Sequence, residues 1–250
     1  MWRGVAAGLI VTSVLGGCAK YSADLSFARA PGLGFRNAGL YTTGYLFLWD
    51  SRANKLTKIQ DDIFIAKQPI TEPPTDISST NIRGISITGD FGSAEQKISA
   101  QAALGQKIQF TAEQAQREKY QSVYSALAQT YTSSGSEIRQ QWYVNDVTRK
   151  GSGLYYVVIT GIVRANKTTI AYGGEEGPEI GGLSVTVPGK LGTIKVSIKS
   201  ANSAECSGKA SPCFFDAMVI SPFISDKKTL DFRAARGVDL DMLSEAFRGS

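Results

Sequence analysis

The stretch Leu154-Tyr-Tyr-Val-Val-Ile-Thr160 decides the fold of this chain. Nearly every position in it is apolar or aromatic, and the second half is β-branched throughout. A short apolar run of this kind, bounded by Gly153 and Gly161, is typical of a strand that is buried on both faces. We therefore predict that it forms a central strand of a sheet.

The residues that follow also carry β-patterns. Residues 168–172 come after a tight Ala-Asn-Lys turn, which predicts a hairpin with 154–164. Apolar and polar residues alternate over 183–187 and again over 194–199, and Pro188-Gly189 favours a turn between these two strands. Another strand is predicted at Phe214–Ile220.

The residues that precede it predict further strands. An apolar run at 45–49 and the segment 56–66 are predicted as the first two strands of the body. Residues 68–80 hold three prolines without a period and predict a loop. Alternating apolar residues over 85–88 and over 98–110 predict half-buried strands.

Two segments carry a helical period. Apolar residues recur at spacings of three and four from Ala112 to Tyr131, which predicts one amphipathic helix over about 112–132. A weaker helix is predicted over 136–147. After a charged segment, Leu240, Leu243 and Phe247 predict a short C-terminal helix over Val238–Phe247, with acidic residues at its N-terminal end.

These patterns predict an α+β, β-rich fold, with an antiparallel sheet or sandwich of about eight strands, one long helix and a short C-terminal helix. We expect a single globular domain over 44–224 and a charged tail with a helix over 225–250. Hydrophobic residues make up 42% of the chain and charged residues 20%, which is ordinary for a globular protein and argues against wholesale disorder.

The N-terminus has the pattern of an export signal. Arg3 precedes an uncharged run, Gly4 to Leu15, that is too short to span a bilayer, and Leu15-Gly16-Gly17-Cys18 closes it. This ending resembles the lipobox of bacterial lipoprotein precursors. The resemblance implies removal of residues 1–17, acylation of Cys18 and a membrane anchor; an ordinary cleaved signal is the alternative. In the enteric lipoproteins that this ending resembles, a residue such as Ala19 after the cysteine, in place of Asp, implies transfer to the outer membrane, facing the periplasm. Residues 18–43 show no lasting period and predict an anchor followed by a tether.

The other two cysteines, Cys206 and Cys213, flank a turn-rich segment. An oxidising periplasm favours a disulfide between them, which would close a short loop and stabilise the fold by roughly 2.5 kcal/mol. Their spacing does not match a redox motif or a zinc site.

Catalytic motifs are scarce. The 250 residues contain no histidine, which excludes Ser-His and Cys-His nucleophile arrangements and zinc sites of the HExxH type. No cofactor or metal is expected. The acidic segment 173–179 is interpreted as a solvated hairpin loop, and Ser225-Asp-Lys-Lys228 as a chance match to the Ser-x-x-Lys motif. Paired carboxylates could hydrolyse a glycan without histidine. The candidates, which no spacing singles out, are Asp61, Asp62, Asp90 and Glu95.

Among the aromatic residues, Trp142 and Tyr143 follow a polar stretch and are the best candidates for a surface that stacks on a sugar or grips a peptide. Together these observations favour a lipid-anchored, non-enzymatic binding or assembly module of the cell envelope. Its expected partners are the membrane, through the acyl chains, and an envelope protein complex or cell-wall polymer. Nucleic acid is not expected. A cell-wall glycan hydrolase and a binder of anionic lipid or glycolipid remain as alternatives.

Overall fold

The computed structural model describes residues 21–39, 41–64, 68–135, 137–172, 175–176, 183–187, 192–199 and 212–250. The strands in these residues are β1 Tyr21–Asp24, β2 Arg29–Ala30, β3 Gly34–Arg36, β4 Leu46–Asp50, β5 Lys55–Gln60, β6 Ile70–Thr71, β7 Thr75–Ser79, β8 Ser86–Thr88, β9 Ile108–Lys119, β10 Leu154–Arg164, β11 Lys167–Tyr172, β12 Glu175–Glu176, β13 Leu183–Val187, β14 Gly192–Lys199, β15 Phe214–Ile224 and β16 Leu230–Ala234. The helices are α1 Ala94–Lys107, α2 Val123–Ser133, α3 Glu137–Gln141, α4 Val144–Val147 and α5 Leu240–Arg248. The α+β, β-rich class is confirmed, although the strands outnumber the eight expected because many are short.

The predicted central strand lies at the centre of a twelve-stranded sheet. β10 pairs antiparallel with β15 along one edge, and with β4 and then β9 along the other. Its residues 156–163 are all buried. The continuous apolar run is therefore explained by neighbours on both edges and packed cores on both faces.

The hairpin predicted between 154–164 and 168–172 is wrong. β11 pairs instead with β9, from Ile108 to Glu113, while β10 pairs with the other end of the same strand. β9 is long enough to pair with both strands along one edge, and it pairs with β6 and β7 along its other edge. The chain therefore bends after β10 rather than folding straight back on it.

Helix and strand are exchanged between residues 94 and 119. The segment predicted as a strand around 98–104 is helix α1, whose Ser93 cap accepts a hydrogen bond from the backbone N of Gln96 at 3.2 Å. The segment predicted as the start of the long helix is strand β9. Only the second part of that prediction is helical, as α2. The weaker helix predicted over 136–147 is divided into α3 and α4.

A separate four-stranded sheet has the order β13-β14-β1-β8. β13 and β14 form the predicted antiparallel pair, whose connecting turn lies outside the described residues. β1 joins β14 in parallel, and β8 joins β1. One face of this sheet, including Val185 and Val196, is buried in a core that contains Ala100 and Leu104 of α1.

Residues 21–36, which the sequence predicts as part of a tether, belong to the folded body. They form β1, β2 and β3, and Leu25, Leu33 and Phe35 are buried. The absence of a lasting period reflects very short strands rather than free chain.

The C-terminal segment is also part of the body. β16 pairs with β15, and the predicted C-terminal helix is present as α5. Phe247 of α5 is buried in an aromatic cluster with Phe27, Phe35, Phe47 and Phe215. The predicted separation of a body from a tail at residue 224 therefore does not match the packing.

Candidate functional site

A cleft of about 670 Å³ lies between α1, the segment 81–85 and the N-terminal half of α5. α1 forms one wall and α5 the other, and the segment between β7 and β8 forms the floor. Asn54, in the turn between β4 and β5, also lines it. These residues come from four separate segments of the chain, so no single local sequence pattern marks the cleft.

Two glycines, Gly105 and Gly84, allow α1 and α5 to pack closely against the segment 81–85. A Cβ on Gly105 of α1 would lie 2.0 Å from the carbonyl oxygen of Ile82, and the backbone N of Ile82 donates to the Gly105 oxygen at 3.0 Å. Gly84 has a φ of +63°, and a Cβ there would lie 2.2 Å from Ser244 Oγ of α5. Both helices therefore touch the floor more closely than any larger residue allows.

The α5 wall carries three carboxylates. Asp239 caps the helix by accepting from the backbone N of Asp241 at 2.8 Å, which explains the Asp-x-Asp pattern of the sequence. Asp241 lies 3.3 Å from Arg29, and Glu245 lies 3.1 Å from Arg248. Asp241 and Glu245 are therefore each paired with an arginine.

Side-chain amides line much of the rest. Asn54 accepts a hydrogen bond from Trp49 Nε1 at 3.1 Å, and Gln101 donates to the carbonyl oxygen of Ile85 at 2.8 Å. Within the described part of the chain, the amides of Asn81 and Gln106 make no hydrogen bond. They therefore keep both donors and acceptors for a ligand.

Two exposed apolar side chains stand among the cleft residues. Ile98 of α1 is 63% exposed and Met242 of α5 is 39% exposed, on opposite walls. Large apolar side chains beside free amides suit a ligand that has both apolar and hydrogen-bonding groups, such as a peptide segment.

The aromatic surface predicted from the sequence is half wrong. Trp142 is fully buried and packs against Tyr131 and Tyr156, so it is a core residue and not a surface contact. The Tyr156 hydroxyl donates to the Trp142 carbonyl oxygen at 2.7 Å. Tyr143 is 47% exposed, so it is the one residue of the predicted pair that lies at the surface.

Cys18 and Cys206 lie outside the described residues. Cys213 is buried, and its disulfide with Cys206 stays a prediction. Of the acidic loop at 173–179, only the short strand β12 is described. Ser225 lies in the turn between β15 and β16, where its hydroxyl is 2.7 Å from Thr229 Oγ1, which supports a structural interpretation of the Ser-x-x-Lys match.

Two of the four carboxylates proposed for glycan hydrolysis, Asp61 and Asp62, have local partners. Asp61 binds Lys58 at 2.8 Å and so raises the pKa of that lysine, and Asp62 accepts from the backbone N of Phe64 at 2.7 Å. Asp90 and Glu95 are both exposed, and Glu95 lies in the first turn of α1. In the described ranges, no three Asp, Glu or Cys side chains gather as metal ligands.

A carboxylate that the sequence interpretation missed is Asp216 of β15. Burial raises the pKa of Asp216, and the negative charge of Glu72 raises it further. The positive charges of Arg117 and Lys119 lower it, and Nε of Arg117 lies 3.7 Å from the Asp216 carboxylate. Gly161 is paired with it across a β-bulge, and a Cβ there would lie 3.4 Å from its carboxylate. A charged residue inside the apolar run Phe214–Ile220 is the signal that could have found it.

The sequence matches no protein-family model and no curated protein. Among the described residues, none of the helices combines the length and the apolar character that crossing a membrane requires.

Proposed function

We propose that this chain is a lipid-anchored protein of the cell envelope that acts as a non-enzymatic binding module. The observation that supports it best is the cleft between α1 and α5. It holds the amides of Asn81 and Gln106, which make no hydrogen bond to other described residues, and exposed apolar side chains at Ile98 and Met242. Its partner is a peptide segment of an envelope protein. The anchor is Cys18, and the location is the outer membrane, facing the periplasm.

The test uses a photoreactive amino acid in place of one isoleucine at a time. The cross-linker replaces Ile98 in the cleft or, as a matched control, Ile70 of β6, which is 49% exposed and lies outside the cleft. We expect a discrete protein adduct in intact cells from position 98 and none from position 70. Adducts of equal yield at both positions, or none at position 98, would contradict the cleft as the binding site.

The anchor is tested separately. The mature protein should carry an acyl mass on Cys18 and sediment with membranes, and Cys18→Ser should abolish both. A soluble mature protein without an acyl mass would show an ordinary cleaved signal instead.

Asp216 supports a second candidate, hydrolysis of a cell-wall glycan. Burial raises the pKa of Asp216, and a raised carboxyl pKa is the direction that a general acid for glycan hydrolysis requires. Purified protein that releases fragments from peptidoglycan, and an Asp216→Asn variant that does not, would replace the binding module with this function. An unchanged glycan would leave the binding module as the proposal.

A further inference from the structure

The spacing between Cys18 and β1 limits how far the body can stand from the membrane. Only Ala19 and Lys20 separate Cys18 from Tyr21, so the three chain steps span at most about 11 Å. Tyr21 is held firmly: its backbone is in the parallel β1–β14 ladder, and its hydroxyl donates to the carbonyl oxygen of Asp90 at 2.8 Å. Acyl chains on Cys18 therefore place the start of the four-stranded sheet beside the lipid headgroups.

The outer face of that sheet carries short hydroxyl side chains in register. Ser197, Ser22 and Thr88 lie in one row across β14, β1 and β8, and Ser22 Oγ is 2.8 Å from Thr88 Oγ1. Thr186 and Thr193 are paired in another row across β13 and β14. The opposite face is buried, so this is the face of the sheet that is open to a surface.

The charges of this face favour anions. Lys195 is exposed and projects between the hydroxyl rows. Asp24 is the one carboxylate among the described residues of the face, and its oxygen lies 3.7 Å from Nε of Arg248, an arginine that it shares with Glu245 of α5, so its charge is partly compensated. Hydroxyl groups and a lysine ammonium can both donate hydrogen bonds to phosphate oxygens.

We propose that the outer face of the four-stranded sheet, here called the hydroxyl face and defined by Ser22, Thr88, Thr186, Thr193, Lys195 and Ser197, lies against the phospholipid headgroups of the membrane that holds the acyl chains. This proposal rests on the proposed acylation of Cys18. The short spacing between Cys18 and Tyr21 keeps the sheet close to the membrane. The hydroxyl groups and Lys195 donate hydrogen bonds to the phosphate groups of the lipids. The body is thus held on the membrane surface, and the tether expected from the sequence does not separate them.

The test compares two acylated proteins in vesicles of phosphatidylcholine and phosphatidylglycerol, whose headgroups have no primary amine that would consume the label. One has the native spacing, and the other has a 25-residue Gly/Ser linker between Lys20 and Tyr21, which spans about 25–30 Å r.m.s.. Lysines are labelled with a water-soluble amine-reactive ester and quantified by mass spectrometry. The exposed Lys150, between α4 and β10, serves as the internal reference.

We expect Lys195 to react about fivefold more slowly in the native spacing than in the linker variant, the ratio that attraction of one lysine to an anionic surface supports. Lys150 should react equally in both. Equal labelling of Lys195 in two proteins that both carry an acyl mass overturns the contact of the hydroxyl face with lipid. Absence of the acyl mass overturns the proposed anchor instead, so the two failures are distinguished.

Discussion

Phe27 and Phe247 stack with their ring centroids 5.7 Å apart and an interplanar angle of 23°. One ring lies just after β1 and the other lies in α5, so the two ends of the described chain share one core. Both ends of the described chain therefore contribute to the stability of the same core.

The first prediction concerns this contact. Phe247→Ala should lower the free energy of unfolding by about 3–5 kcal/mol, because it leaves a cavity among several aromatic rings. Met242→Ala on the same helix should change it by less than about 0.5 kcal/mol, since Met242 is partly exposed. Urea denaturation measures both. Similar values for the two variants would show that α5 is not part of the cooperative core.

The second prediction concerns the contact of α5 with the floor of the cleft. Gly84→Ala and Gly237→Ala both place a Cβ at positive φ, but only the former meets a neighbour, Ser244. Both should lose about 1 kcal/mol from backbone strain, and Gly84→Ala should lose a further 1–3 kcal/mol from overpacking. Denaturation midpoints at constant m-value measure the difference. Equal losses would mean that Ser244 moves aside freely.

The third prediction compares two buried tyrosines. Tyr156→Phe removes the hydrogen bond to the Trp142 carbonyl and should cost about 1–2 kcal/mol of unfolding free energy. The Tyr172 hydroxyl has no hydrogen-bond partner in the described part of the structure, and burial raises the pKa of Tyr172 to about 12. Tyr172→Phe should therefore be neutral within about 0.5 kcal/mol, or stabilising. Thermal and urea unfolding of both variants test this, and a larger loss for Tyr172→Phe would contradict it.

The fourth prediction concerns pH. Burial raises the pKa of Asp216 above its ordinary value of 3.8, so the folded state keeps the proton longer than the unfolded chain. The free energy of unfolding should then fall as the pH rises from 3.8 through the raised pKa. Asp216→Asn should lack this fall.

Denaturation of both proteins across the acidic range measures the effect of Asp216. If the native protein instead gains stability relative to Asp216→Asn as the pH rises, the attraction of Arg117 outweighs burial. That result would show that the pKa of Asp216 is lowered in the fold.

The exchange of helix and strand between residues 94 and 119 shows where local patterns fail. Ile98, Ala100, Ala102 and Leu104 alternate like a strand, yet only Ala100 and Leu104 of these are fully buried, four residues apart on one helical face. Because α1 is rich in alanine, glutamine and lysine and has a capping serine, its helix propensity decides the outcome.

The reverse holds for β9, where propensity is overridden. Its last eight residues, 112–119, are good helix formers, but neighbouring strands pair with both of its edges. Gln114 has a φ of +51°. Buried residues alternate up to Ala112, and the next buried residue is Ala115, three positions later and not two. This interruption of alternation at a bulge explains why the strand shows no simple period of two.

The sequence by itself determined the β-rich class, the central strand β10, the β13–β14 pair and the C-terminal helix. A continuous apolar run or a clear hydrophobic period requires burial whatever surrounds it, so these elements can be predicted from the local sequence. Only the tertiary structure decided that β9 is a strand, that Trp142 is buried, and that Gly84 and Gly105 draw two helices onto residues 81–85. Those outcomes depend on contacts between segments far apart in sequence, and the free energy of such contacts is not contained in any one segment.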